Sequence, residues 1–414
     1  MFSRFTRPIC LPAFCLLALL LGSGPAQAAE TIRIAFIDAL SGGAAAVTQN
    51  GLNHFRFMAE RLSKAGRSYE IVAYDNKLSP QESIVAAQKA LDAGIRIIAQ
   101  GNSSAVAAAL VDFLDKHNER NPGQQALFLN YAAIDPALTN DKCSPWHFRF
   151  DAHADMKMQA LTNFLAGKAA VKRVYLINQD YSFGQAVRKS ALDMLQAKRP
   201  DIQIVGDELH QMAKITDFSP YVAKIKASGA DSVITGNWGN DLALLLKAAA
   251  DAGLNLDWYT YYASGIGSPT AVRQTGLAHR VYGVIEGQAN DPGADADGIE
   301  SAYRARFQGS FNVPRIRALM EMLDQAVSRS PGDLSARALG RALSGAEYRT
   351  MYGATTQLRR ADHQLLQDLV IASLGPLQDG MKFDEEATGW GWRSMGRIAA
   401  QATALPTTCK MPAL

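Results

Sequence analysis

Ile97-Ile98-Ala99-Gln100-Gly101-Asn102-Ser103-Ser104-Ala105 decides how the chain is read: an apolar strand stops at a glycine and a helix starts on two hydroxyls. Apart from Arg96, residues 95–99 are apolar and mostly β-branched, as in a strand buried on both faces, and residues 105–114 have the alanine-rich spacing of a helix. Such a turn presents free N–H groups and the positive end of a helix dipole to a small anion, with Ser103 or Ser104 as the cap. It is equally the joint that any doubly wound sheet needs between strand and helix, so its meaning depends on what surrounds it.

On the N-terminal side, residues 31–37 alternate and end at Asp38, which reads as a first strand. Ser41-Gly42-Gly43-Ala44 turns into a helix ending near residue 66, residues 70–75 form a second strand, and Ser79-Pro80-Gln81-Glu82 starts a helix over 83–92. On the C-terminal side, residues 126–131 are a fourth strand that runs into Ala132-Ala133-Ile134-Asp135-Pro136. A second α/β unit begins with a helix over 154–165 and has strands at 173–178, 202–205, 232–235 and 258–262, with helices over 184–197, 221–228 and 242–252 between them. A strand at 282–285, a Gly/Pro/Asp loop at 290–297, helices over 298–306 and 315–328, and a strand pair opening at 350–359 and continuing at 367–373 complete the pattern. This is an α/β chain with mainly parallel sheets in two similar lobes. Ligands of open α/β sheets bind beyond the C-terminal ends of strands, and two facing lobes can close like a hinge.

The ends and the composition narrow the class. Arg4 and Arg7, an apolar run over 9–21 and the small-residue site Ala26-Gln27-Ala28 read as a Sec-type signal peptide, with cleavage expected after Ala28 and a periplasmic address. Cys10 and Cys15 precede or fall within the apolar run, behind bulky Ile9 and Phe14, which is wrong for lipid attachment. The formal charge is only +3 over 414 residues, so neither nucleic acid nor an anionic membrane is an expected partner. Cys143 and Cys409 remain after processing; in an oxidising compartment they read as a disulfide, the alternative being two buried thiols.

Several segments, in the right order, resemble the type I periplasmic binding proteins of the leucine/isoleucine/valine transport class, the solute receptors of ABC importers. The resemblance rests on Tyr74-Asp75-Asn76 with residues 79–89, on Gly101-Asn102-Ser103-Ser104-Ala105, on Asp180-Tyr181-Ser182-Phe183-Gly184, on Thr216-Asp217-Phe218-Ser219 with residues 225–231, and on Arg360-Ala361-Asp362-His363-Gln364. It implies a two-lobed fold with each lobe a mainly parallel sheet flanked by helices. Lobe one is expected over 29–146 and 281–346, lobe two over 147–280 and 347–400, and a C-terminal tail over 401–414. It also implies that Ser103 and Ser104 hold a ligand carboxylate, that the backbone of Tyr131, Ala132 and Ala133 does the same, and that Tyr181 or Phe183, with Trp238, closes over the ligand. Ser264 falls where the amino-acid receptors place a glutamate for the α-ammonium. No acid stands in Tyr262-Ala263-Ser264-Gly265-Ile266-Gly267, and a buried ammonium without a carboxylate is costly. The ligand is therefore expected to be a small carboxylate, either an amino acid whose ammonium is met by Asp241 or an aromatic or branched acid without one. Asp241 has a second reading as a first-turn residue that serves its helix dipole.

Other classes receive little support. Gly265-Ile266-Gly267 and Ser41-Gly42-Gly43 are incomplete as dinucleotide fingerprints, and no G-x-S-x-G elbow occurs. The seven histidines are scattered, and the spacing of His147 and His153 suits no zinc motif. No enzyme activity, metal or cofactor is expected. The expected partners are a small carboxylate and a membrane permease, with the chain a monomer; a ligand-sensing receptor is the alternative on the same fold.

Overall fold

The computed structural model describes residues 1, 2 and 30–414. Residues 3–29, with the apolar run and cleavage site of the expected leader and with Cys10 and Cys15, lie outside the described residues.

The first sheet is built from β1 (Glu30–Asp38), α1 (Ala45–Leu62), β2 (Arg67–Asp75), α2 (Pro80–Asp92), β3 (Ile97–Gln100), α3 (Ser104–Arg120), β4 (Leu127–Asn130) and β5 (His147–Arg149). Its strands are all parallel in the order β2-β1-β3-β4-β5. Period-two alternation sorts its side chains: Ile32, Ile34 and Phe36 join the core with Phe55 of α1, while Ala35 and Ile37 join the core with Ala87 of α2 and Leu110 of α3. Covering both faces is what a parallel sheet requires.

The chain then enters a second sheet through α4 (Ala154–Leu165), β6 (Arg173–Gln179), α5 (Ser182–Lys198), β7 (Gln203–His210), α6 (Ser219–Ser228), β8 (Ser232–Thr235), α7 (Gly239–Asp251), β9 (Asp257–Thr260), α8 (Ser268–Thr275) and β10 (Val281–Ile285). It returns to the first lobe for α9 (Ile299–Phe307), α10 (Pro314–Arg329), α11 (Ala336–Leu343), and a small antiparallel sheet of β11 (Glu347–Arg349), β12 (Thr355–Leu358) and β13 (Leu365–Leu366). It ends on the second sheet with β14 (Leu369–Pro376), β15 (Trp390–Ile398) and α12 (Ala400–Thr403), giving the order β15-β14-β10-β9-β8-β6-β7. The last two strands are antiparallel to their neighbours. Val174 and Leu176 face α4 and α5, and Tyr175 and Ile177 face α6 and α7.

The pairing moves all three expected crossings C-terminal. His147–Arg149 pairs with β4, so the chain leaves lobe one after residue 149 rather than at 146. Val281–Ile285 lies between β9 and β14, fully inside the second sheet, so the return begins after residue 285 rather than at 280. Tyr348, Leu358 and Leu365 share the core of α10 and α11, so lobe one extends to residue 366 rather than 346. The expected strand pair from 350–359 into 367–373 is also replaced: β12 pairs with β11 and β13, and β14 pairs with β10 and β15. Short strands carry too little pattern to reveal their partner.

Cys143 and Cys409 form a disulfide across 266 residues of chain. It pins a tail whose Thr407 hydroxyl donates to the Thr139 carbonyl and whose Leu414 carbonyl accepts from Arg341. Cys409→Ser is expected to lower unfolding free energy by about 2–4 kcal/mol. Urea unfolding with and without dithiothreitol checks this: reductant should bring the parent down to the variant, and a parent indifferent to reductant contradicts it.

Candidate functional site

Between the lobes lies a cavity enclosing about 720 Å³ of non-atom space, part of it open to solvent. Among the helices that begin on its wall are three without a proline in the first turn: α3 at Ser103 and Ser104 from lobe one, α5 at Tyr181 and α7 at Trp238 from lobe two. None of the three has a side-chain cap. The first amides of a helix have no partner within it, so three positive helix ends converge on one space. Among the described residues lining the cavity there is no aspartate or glutamate, and the one charged side chain is Arg315.

Asp38 organises the lobe-one wall from behind. Its Oδ2 accepts from the Gly101 and Asn102 amides, both at 3.0 Å, and from the Tyr131 hydroxyl at 2.7 Å, while Oδ1 accepts from the Ala39 amide at 3.0 Å. Complete burial pushes its carboxyl up to about 6, against the pull of these donors. Gly101 lets Tyr131 close on the turn, since a Cβ there would sit 2.6 Å from the ring. Past the glycine, Ser103 adopts φ 79° and ψ 113°, a strained conformation for a residue with a side chain, held by the bonds around it. Ser104 Oγ accepts from the Asp135 amide at 3.1 Å, which leaves its own proton to donate.

Rings form the opposite wall. Trp238 Nε1 donates to the Tyr181 hydroxyl at 3.0 Å, and Phe183 meets both Tyr181 and Tyr262 edge to face. Tyr262 crosses the cleft: its hydroxyl donates to Asp151 Oδ2 at 2.9 Å, with the Ala132 carbonyl at 3.2 Å. A second bridge runs from Asn50 Nδ2 to Asn312 Oδ1 (2.8 Å) and from Asn312 Nδ2 to the Ser264 carbonyl (2.6 Å). The lobes are thus closed on each other.

At the base of the cavity four charges are buried together. Lys157 Nζ reaches Asp151 at 2.9 Å and Glu286 at 3.1 Å; Arg315 reaches Glu286 at 3.0 Å, Asp151 at 3.3 Å and the Tyr131 carbonyl at 2.6 Å. Asp151 and Glu286 stand on the first two crossings, Lys157 on α4 of lobe two and Arg315 on α10 of lobe one. Burial pushes both carboxyls up; at Glu286 the two cations win and hold it down to about 2, whereas Asp151 stays raised.

Ser103, Ser104, Tyr131, Ala132, Ala133, Tyr181, Phe183, Trp238 and Ser264 all line this cavity. Two expectations need correction. Asp241 does not line it: its Oδ2 accepts from Gln179 Nε2 at 2.7 Å and from the Ala213 amide at 2.9 Å, so it is spent on lobe two's own loops. The Tyr131, Ala132 and Ala133 amides are spent as well, the first on the Gln100 carbonyl and the other two on Asn130 Oδ1, so this segment offers surface rather than donors. Asn50, Asn312 and Arg315 were invisible to the sequence reading. Arg315 follows Pro314 at a helix start, but only tertiary packing separates it from the neighbouring Arg317.

Fold and cavity together define a two-lobed protein that encloses a small ligand in its cleft. A family model described as periplasmic binding protein matches residues 31–380, and the chain belongs to that family, whose members are binding proteins and not enzymes. It is 32% identical over 368 residues to Leu/Ile/Val-binding protein homolog 4 of Brucella melitensis, covering 86% of each chain. The structure is similar to the closed conformation of a leucine-, isoleucine-, valine-, threonine- and alanine-binding protein from Brucella ovis, with TM-score 0.80, 28% identity and coverage of 93% and 100% of the two chains. It shares its fold with a Rhodopseudomonas palustris ABC-transporter solute-binding protein solved with 3,4-dihydroxybenzoic acid, at TM-score 0.77 and 16% identity over 89% and 98%.

Asp38 yields a prediction with a definite sign. Its proton is held more tightly in the folded chain, at about 6 against 3.8, so this group costs stability progressively as pH rises from about 4 to about 6, by about 3 kcal/mol in total. Asp38→Asn should flatten that part of the pH–stability curve. Denaturant unfolding of both proteins between pH 4 and 7 measures it; two parallel curves contradict it.

Proposed function

We propose that this protein is the periplasmic receptor of an ABC importer of the branched-chain amino acid type, exported by a leader cleaved after Ala28. It captures a small aromatic or branched carboxylate that carries no α-ammonium and delivers it to a membrane permease as a monomer. The supporting observation is the cavity wall: three uncapped helix starts, with no acid among the described residues that line it and with Arg315 already paired with Asp151 and Glu286. Such a wall favours an anion and leaves an ammonium unpaired. Ser103 and Ser104 are assigned the carboxylate, through their amides and the free Ser104 proton. Tyr131, Tyr181, Phe183, Trp238 and Tyr262 supply apolar area on both sides, and Ala132, Ala133 and Ser264 complete the wall. Closure excludes water from the ion and lets each lobe hold the ligand that the other has captured.

The names of the Brucella relatives favour a second reading, an aliphatic amino acid. Thermal unfolding of the ligand-stripped protein against benzoate, 4-methylpentanoate, leucine and valine separates the two. A ligand at about a hundredfold excess over Kd adds about 2.7 kcal/mol, enough to move Tm readably. Shifts with the acids alone support the proposal, and shifts with leucine or valine alone overturn it.

Ser264→Glu restores an acid to the cavity wall. Leucine affinity is then expected to rise by about tenfold or more while benzoate affinity falls. Calorimetric titration of both ligands into parent and variant reads this directly, and an unchanged order of preference speaks against an ammonium vacancy at this wall.

A further inference from the structure

A second cavity, of about 530 Å³, lies on the far side of the Asn312 to Ser264 bridge, and those two residues belong to both walls. Nothing in the ligand scheme above uses it. Its lining differs in kind from the first cavity. Trp392 is 2% exposed and forms part of the wall, yet its Nε1–H has no protein acceptor. Leaving a buried donor unpaired is costly, so an acceptor from outside the chain is called for. Glu385, 6% exposed, also lines the cavity; one oxygen accepts from the Ser310 hydroxyl, and Oε1 makes no hydrogen bond and lies 3.8 Å from Arg304 Nη2. Burial pushes this carboxyl up to about 8, which favours its protonated form near neutral pH. A wall that holds both an unpaired indole donor and a carboxyl oxygen without a hydrogen bond suits a hydroxyl, which can accept from the first and donate to the second.

Asn312 stands in the partition with Ser264: it is held at 2.8 Å by Asn50 and reaches the Ser264 carbonyl at 2.6 Å, and its amide is the side chain in that bridge that can change rotamer. We propose that the second cavity is an annex of the ligand site, gated by Asn312, that receives the hydroxyl-bearing far end of an elongated carboxylate through Trp392 and Glu385. This rests on the reading of the first cavity as the carboxylate site.

Calorimetric titration with benzoate, 3-phenylpropanoate and 3-(4-hydroxyphenyl)propanoate tests it. The parent should bind the hydroxylated extended acid about tenfold more tightly than its deoxy partner. Trp392→Phe, which removes only the donor, should erase that preference and leave benzoate unchanged. Ala289→Leu, which fills the annex from another wall, should weaken both extended acids and spare benzoate; it also serves if Trp392→Phe fails to fold. Benzoate binding with no preference for the hydroxyl, or a preference that survives Trp392→Phe, overturns the annex while leaving the carboxylate site standing. Failure of all three acids to bind overturns the carboxylate reading and the annex with it.

Discussion

Everything in the cleft depends on the four buried charges Asp151, Lys157, Glu286 and Arg315. Two acids stand on the segments that cross between lobes, one cation comes from each lobe, and the set is neutral, so none of its members needs a counter-ion from the ligand. Taking one partner from such a cluster costs about 3–5 kcal/mol, because it strands an ion in a low-dielectric site. The cluster therefore ties the geometry of the crossings to the loops above them. Arg315 holds the Tyr131 carbonyl, and Tyr262 rests its hydroxyl on Asp151 while both cations lie near its ring.

The same bookkeeping explains the sign of the cleft. The carboxylates behind the cavity wall have partners of their own: Asp38 has backbone amides and Tyr131, Asp135 has the Ala137 amide, Asp241 has Gln179 and Ala213, and Asp151 and Glu286 have Lys157 and Arg315. What lines the cavity is helix starts, aromatic rings and a guanidinium already paired with Asp151 and Glu286. Specificity comes both from attractive groups and from leaving the wrong ligand unpaired.

Local patterns made much of this legible. The strand, glycine and serine turn at residues 97–105 announced the joint between β3 and α3 because strand period, turn residue and helix start coincide within nine positions. The repeated α/β halves announced two lobes, and Cys143 and Cys409 could be paired because no other cysteine follows residue 28. Tertiary accounting was illegible. The fate of the Ala132 and Ala133 amides depends on Asn130 turning its side chain back onto them, and that of Asp241 on Gln179 and Ala213 meeting it from other segments. Arg315 and Asn312 reach the site from a helix start more than 200 residues past the serine turn, in a segment whose pattern says only that a helix begins. The crossings shifted for a related reason: a strand of three residues such as β5 belongs to whichever sheet edge it finds.

The most direct measurement is the affinity difference within one matched pair, leucine against 4-methylpentanoate, which share the carboxylate and branched chain and differ essentially by the ammonium. Calorimetry on the stripped, processed protein should find the acid bound about a hundredfold or more tightly than the amino acid, the cost of an unpaired buried charge. Equal affinities, or a preference for leucine, would contradict the claim that the cleft keeps no acid for its ligand.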